Sequence, residues 1–312
     1  MLNRRILRIK AFKELYSYAE NPSMTLKEAE AELQIACEAT RDLYLYMMAL
    51  IVPLTKEASD RIESRRKKFN PTEEDLNPNT RFADNLVAKT LSEDPDLKKL
   101  LSRKKLSWDQ NDVFLRKLYD SISSKQYFQD YMTSEKSGLA QDIDVFVKIF
   151  EEELVDSEDL EQILEDMSIY WNDDLAYALT QCCRSLQAMK KGAPWQYPPL
   201  FQSEMLLKPD VKPGSDREFV TGLLRAAFSG YSRYYEMVAQ AVPKWDKDRL
   251  FTTDVVLIIC GLAEAEHFKD IPTKVTVNEY VEISKFYGTP KSRPFVNGLL
   301  DRLIKENLSL TI

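Results

Sequence analysis

The sequence predicts an all-α protein, on three observations. Glycine is scarce, at 8 of 312 residues, whereas sheets spend glycine on their tight turns. Long runs are built from Ala, Leu, Glu, Lys and Gln, which favour helix. Apolar residues recur at three- and four-residue spacing through most of the chain, the period of a helix with one buried face. A hydrophobic content of 44% suffices for a substantial core, and the length admits two domains.

Several function classes are disfavoured by composition. No window of about 18 apolar residues is present, so no membrane span is expected. The opening MLNRRILRIKAF has charge but no apolar core followed by a small-residue cleavage site, so no secretory leader is expected and a cytoplasmic protein is. Cys37, Cys182, Cys183 and Cys260 lack metal-ligand spacing and read as free thiols of a reducing compartment. The single His267 has no second His or Cys nearby in sequence. No catalytic residue, metal or cofactor is therefore expected.

The net charge of −7 conceals segregation. Residues 1–18 carry Arg4, Arg5, Arg8, Lys10 and Lys13 against Glu14 alone, whereas residues 140–175 carry 13 acidic side chains against Lys148. An acidic chain can still offer a basic end to a polyanion, because surface potential is local over about a Debye length.

The first helix is expected over 3–18. Leu7, Ala11, Leu15 and Tyr18 share a stripe, and Arg4, Arg5 and Arg8 fall within about a 100° arc at its start. A helix N-terminus prefers acids. The arginines are either a solvated helix end or a binding surface. Residues 24–68 read as a second long helical region, with Ser23 or Thr25 as N-cap, Glu28 near N3 and a kink or division at Pro53. The run Ser64-Arg65-Arg66-Lys67-Lys68 suits a helix C-terminus and is also a candidate RNA contact. Residues 69–82 form a loop or a short helix beginning near Asn70-Pro71. Further helices are expected over 82–92, 95–105, 109–134, 138–154 and 157–191, with Asp94-Pro95 as cap and first residue of one of them. The acid run 151–166 reads as a solvated face. A faint repeat pairs Phe146…Trp171 with Phe219…Trp245.

Residues 192–215 hold 5 of the 14 prolines and read as a linker. The expected organisation is N-terminal helices over 1–50, an inserted helical region over 51–191, the linker, and a C-terminal bundle over 216–312. Within that bundle, residues 255–262 are nearly all apolar, which predicts a central helix surrounded by others.

The chain closes on two helices and a sharp corner. Val277, Val281 and Ile283 give the first an apolar face, and Gly288 follows it where a left-handed C′ residue is expected. Ser292 and Pro294 restart the chain, and Phe295, Leu299, Leu300 and Leu303 make the next stripe. Gly298 inside this helix costs about 1 kcal/mol relative to Ala, which suggests close approach by another helix or by a ligand.

VNEYVEISKFYG followed by FVNGLLDRL resembles the closing signature of the NusB family. Upstream, RRILRIKAFKELYSY resembles that family's arginine-rich opening, with Ile6 where the family has a further arginine. REFVTGLLRAAF, KWDKDRL and DVVLIICGLAEAEHFKDIP resemble its intervening helices, with Ala263 in place of a tyrosine. The resemblance covers 1–18 and about 216–306 and leaves 50–215 as an insertion. It implies an all-helical fold without enzymatic activity. It also implies binding to the single-stranded boxA element of ribosomal RNA leaders, pairing with NusE, a small-subunit ribosomal protein, and a place in the RNA polymerase antitermination complex of bacteria. Arg4, Arg5, Arg8, Tyr16 and Phe295 are thereby implied as RNA contacts, and Lys291, a cation where the family commonly has an acid, is expected to join them and strengthen binding. Glu264 is implied in partner docking. Two other readings stay open: a helical protein–protein scaffold, and a non-catalytic relative of the NusB-like module of ribosomal RNA methyltransferases. The Gly-rich loop and nucleophilic Cys of those enzymes have no counterpart here.

Overall fold

The structure is a computed structural model, and it describes residues 2–193, 197–198, 200–201, 216–242 and 250–308. Among them are sixteen α-helices and no strand. In chain order these are α1 (Arg4–Glu20), α2 (Leu26–Ala49), α3 (Ile51–Arg66), α4 (Glu73–Leu76), α5 (Leu86–Glu93) and α6 (Pro95–Lys104), then α7 (Asp112–Ser123), α8 (Gln126–Thr133), α9 (Leu139–Glu152), α10 (Glu158–Met167) and α11 (Leu175–Lys190). The C-terminal set is α12 (Asp216–Ser229), α13 (Tyr231–Ala241), α14 (Thr252–His267), α15 (Thr273–Tyr287) and α16 (Ser292–Leu303), which runs into a π turn at Ile304–Leu308.

The chain divides into two compact units, residues 1–38 with 199–312 and residues 39–198. The division therefore falls inside α2 rather than at residue 50. Most of the expected linker, and Trp245 of the faint repeat, lie outside the described residues.

The first unit is assembled around α14, as the apolar run over 255–262 predicts. Every residue from Asp254 to Ala265 is buried, and α14 packs against α1, α12, α13, α15 and α16. Gly261 lets α16 come this close: a Cβ there would sit 2.6 Å from Leu300 Cδ2 and 3.2 Å from Tyr280 Cδ2. Gly288 differs from expectation. Its φ of −102° is not left-handed. Glycine is needed there for space, since a Cβ would lie 2.4 Å from Ser292 Cβ. Gly298 meets no atom within 4 Å, so no described helix of this chain uses its missing side chain.

The second unit contains α3 packed on α4, α5 and α7, and α9 packed on α5, α8 and α11. Its aromatic centre stacks Trp108 on Tyr46 at 4.2 Å, with Phe114 and Trp171 continuing the pile. The indole N–H of Trp108 donates to the Tyr46 carbonyl and that of Trp171 to the Ala39 carbonyl, so burying the rings strands no donor. Two local expectations hold closely. Thr25 and Glu28 form a reciprocal cap on α2, and Asp94 accepts from the N–H groups of Asp96 and Leu97 ahead of Pro95. Pro53 sits in the first turn of α3, where its missing N–H has no intrahelical partner anyway.

Two expected helices are each split. The stretch 109–134 breaks at Ser124-Lys125, where Ser124 bonds its hydroxyl back to the Ser121 carbonyl. The stretch 157–191 breaks over 168–174, where Ser168 accepts from the Tyr170 N–H and Asp174 takes the Thr40 hydroxyl. At both breaks a serine side chain, Ser124 or Ser168, competes with the helix for backbone groups.

Candidate nucleic-acid interface

The arginine end of α1 is built from its cap inward. The Asn3 side chain accepts from the Arg5 N–H, and the Leu2 N–H donates to the buried Asp216 carboxylate at 3.1 Å, fastening the start of α1 to α12. No acid lies in the first turn of α1. The carboxylates that pair with Arg8 and Arg5 come from α14 and α15, and the one acting most strongly on Arg4 is Asp216 of α12.

Arg8 is 4% exposed and Glu264 fully buried. Arg8 Nε and Nη2 donate to the two Glu264 oxygens at 2.7 and 2.8 Å, a bidentate pair. Glu264 also accepts from Thr276 Oγ1 at 2.8 Å and Tyr280 OH at 3.2 Å. Burial opposes the charge on Arg8, but the Glu264 hydrogen bonds and attraction outweigh it and hold the guanidinium above its ordinary pKa. Burial, then the neighbouring Glu264 charge, push the Tyr280 hydroxyl well up. Arg5 makes a second bidentate pair, Nε and Nη2 to Glu279 at 2.9 and 2.8 Å. Those bonds hold Glu279 below the usual carboxylate range against partial burial. Arg8 Nη1 is 3.6 Å from the same carboxylate.

Arg4 is exposed and lies over the ring of Phe219, guanidinium carbon to ring centre 4.1 Å. Phe219 meets Phe268 edge-on at 5.1 Å. Together with His267, Lys269 and Val275 these groups line an open cleft of about 670 Å³. A guanidinium stacked on an aromatic ring leaves its other face able to stack on a base while its N–H groups reach phosphate.

The remaining expected residues belong to another part of α1. Tyr16 lies about 18 Å along the helix from Arg4, at 1.5 Å per residue. It is half-buried, and its ring is 6.3 Å from that of Phe12, which packs on Tyr287 at 5.2 Å. Tyr287 ends α15 and leads through Gly288 to exposed Lys291 and half-buried Phe295. Exposed Asn297 and Gly298 follow on α16.

Two sequence expectations therefore change. Glu264 is an interior anion, with no carboxylate surface to offer a docking partner. Arg8 is an interior cation consumed by that anion rather than a free phosphate ligand. Glu279, Thr276 and Tyr280 were not singled out from sequence, and Phe219 only as a member of the faint repeat. The available signal was the absence of acid in the first turn of α1 beside an acid, Glu264, that closes the apolar run of α14: each demands a partner.

Comparison with known proteins finds relatives of this chain. The NusB family pattern matches residues 176–305. The chain is 34% identical over 113 residues to the transcription antitermination protein NusB of Methylacidiphilum infernorum, covering 36% of this chain and 71% of that protein. It is 39% identical over 111 residues to the protein of that name from Lactiplantibacillus plantarum, covering 34% of this chain and 76% of that protein. To the one from Thermotoga maritima it is 37% identical over 84 residues, covering 27% and 59%. No solved structure matches the chain significantly.

Proposed function

The chain belongs to the NusB family, and from that premise we propose that it is a non-catalytic, RNA-binding factor of transcription antitermination. In this reading it acts in the cytoplasm on single-stranded boxA RNA of ribosomal leaders. It does so with NusE, in the complex that keeps RNA polymerase elongating. The observation that carries the proposal is the arginine end of α1, fixed by ion pairs to the two helices that bear the family signature.

The roles divide by environment. Arg4, exposed over Phe219, and the outer N–H groups of Arg5, whose side chain is 41% exposed, meet phosphate or stack on a base. Arg8 and Glu264 position them by clamping α1 to α14. Phe295, Tyr16 and Lys291 supply a second contact near the α15–α16 corner, where Gly298 leaves room for an RNA backbone. NusE docks on the helix surface beside Glu264, with Glu264 itself supporting that surface from within.

The test is titration of a boxA oligonucleotide and a scrambled one of equal composition, with and without NusE. The proposal requires tighter binding of boxA and further tightening by NusE. Equal affinity for both sequences in both conditions would remove it.

A further inference from the structure

The second unit carries a basic run that the NusB-like helices do not account for. α3 ends in Arg65-Arg66, followed by Lys67, Lys68 and Phe69. Most cations around it are already engaged. Lys67 pairs with Glu63 and Lys68 with Asp75. Arg61 pairs with Glu57 and Asp120 and lies over the Tyr119 ring at 4.7 Å. Arg65 and Arg66 differ: both are exposed and, among the described residues, neither side chain has a hydrogen-bond or ion-pair partner. Phe69 is 106% exposed, its ring entirely in water.

A helix C-terminus explains basic residues but not a bare phenylalanine after them. Exposing a whole aromatic ring forgoes the burial that ordinarily stabilises it. Beside this run, a cleft of about 320 Å³ opens against α3, with Arg65 on its rim and Ile62, Phe82, Tyr119 and Met132 as apolar lining. Asn77 and Glu74 also line it, exposed and with side chains free of partners among the described residues. Walls shared between apolar side chains and polar ones offer a flat heterocycle both contact area and partners for its donor and acceptor edges.

We propose that this surface of the second unit is a further binding site for single-stranded RNA. Arg65 and Arg66 hold backbone phosphates, Phe69 stacks on one base, and the cleft admits a neighbouring base whose edge meets Asn77 and Glu74. Single-stranded RNA is favoured over an acidic protein by the chemistry of the free groups. They are guanidinium forks suited to phosphate and a lone ring suited to base stacking, not an apolar groove that would receive a helix. The proposal concerns the second unit alone and does not depend on the boxA reading.

The test uses the full chain and a fluorescein-labelled oligouridylate titrated at rising salt. The double variant Arg65→Ala/Arg66→Ala is expected to lower the slope of log affinity against log salt by about 1.4, at about 0.7 per phosphate contact on a single strand. Arg65→Lys/Arg66→Lys keeps the slope. Phe69→Ala is expected to weaken binding about 5- to 150-fold with the slope unchanged. Thermal unfolding is expected to stay as in the parent for Phe69→Ala and Arg65→Lys/Arg66→Lys, and to fall slightly for the double alanine variant, which loses two cations from the last turn of α3. Unchanged affinity and slope in the alanine variants would overturn the proposal. So would loss of binding to a polyglutamate peptide with oligouridylate binding intact, which would assign the patch to an acidic protein. An Arg4→Ala variant titrated with boxA RNA in parallel keeps the two readings separate, since either result can fail without the other.

Discussion

Arg8 and Glu264, separated by 256 positions in the chain, meet as a bidentate ion pair at 2.7 and 2.8 Å in the interior of the first unit. The pair joins the first helix of the protein to its central one. Both charges are out of water, so the value of the pair lies in its completeness: Thr276 and Tyr280 satisfy further lone pairs of the carboxylate.

Removing one partner leaves the other charge buried alone. Arg8→Ala is expected to lose about 3–5 kcal/mol of folding stability, read by chemical unfolding. Glu264→Lys, which adds a second buried cation, is expected to lose at least as much. RNA affinity of the fraction that remains folded falls little, because Arg8 faces Glu264 rather than solvent. Unchanged stability in Arg8→Ala would show that the pair does not hold α1.

Two glycines separate packing from binding. Gly261→Ala is expected to cost about 1–3 kcal/mol, the usual range for overpacking, because Leu300 must move. Gly298→Ala meets open space and is expected to stabilise α16 by about 1 kcal/mol while weakening RNA binding. Unfolding and RNA titration of both variants check this. A Gly298→Ala protein that gains stability and binds as before would show that nothing approaches that surface.

The pH dependence of stability carries a signature of Glu14. Burial, then the nearby Glu32 charge, raise its pKa from 4.5 to about 7, with Lys10 and Lys13 opposing. The folded protein thus holds this proton more tightly than the unfolded chain does. The stabilising contribution is fully present below pH 4.5 and is lost as pH rises through about 7. Glu14→Gln is expected to flatten that part of the stability profile and to raise stability above pH 7. A profile of thermal unfolding against pH that is unchanged by the substitution would place the titration elsewhere.

Much of this fold was legible because helical periodicity, caps and the apolar run of α14 are local. Thr25 with Glu28, and Asp94 with Pro95, could be read directly. The breaks at Ser124-Lys125 and over 168–174 were not, because short polar residues bend a chain only where their side chains find backbone partners. The arginines of α1 were legible as a group but not in their separate roles. Whether an arginine faces water or a carboxylate depends on Glu264 and Glu279, more than 250 positions away, and no local pattern encodes such a pairing. Gly288 teaches the same lesson on a smaller scale. Its need for glycine comes from the proximity of Ser292, not from its own φ.

Phe295 and Arg4 test different kinds of RNA contact. Phe295→Ala is expected to cost about 1–3 kcal/mol of binding if a base stacks there, with the salt slope unchanged. Because the ring is half-buried, unfolding must be measured beside it. A destabilised variant whose folded fraction binds normally would make Phe295 a packing residue.

The central claim, that the arginine end of α1 binds RNA, is tested most directly by the salt dependence of boxA RNA affinity in the parent and in Arg4→Ala. Arg4 is exposed and stacked on Phe219, and it takes no part in the buried Arg8–Glu264 pair. The account predicts affinity that falls steeply with salt in the parent and a slope smaller by about 0.7 unit of log affinity per log salt in the variant, one phosphate contact on a single strand. A parent slope near zero, or an identical slope in Arg4→Ala with the protein fully folded, would contradict it.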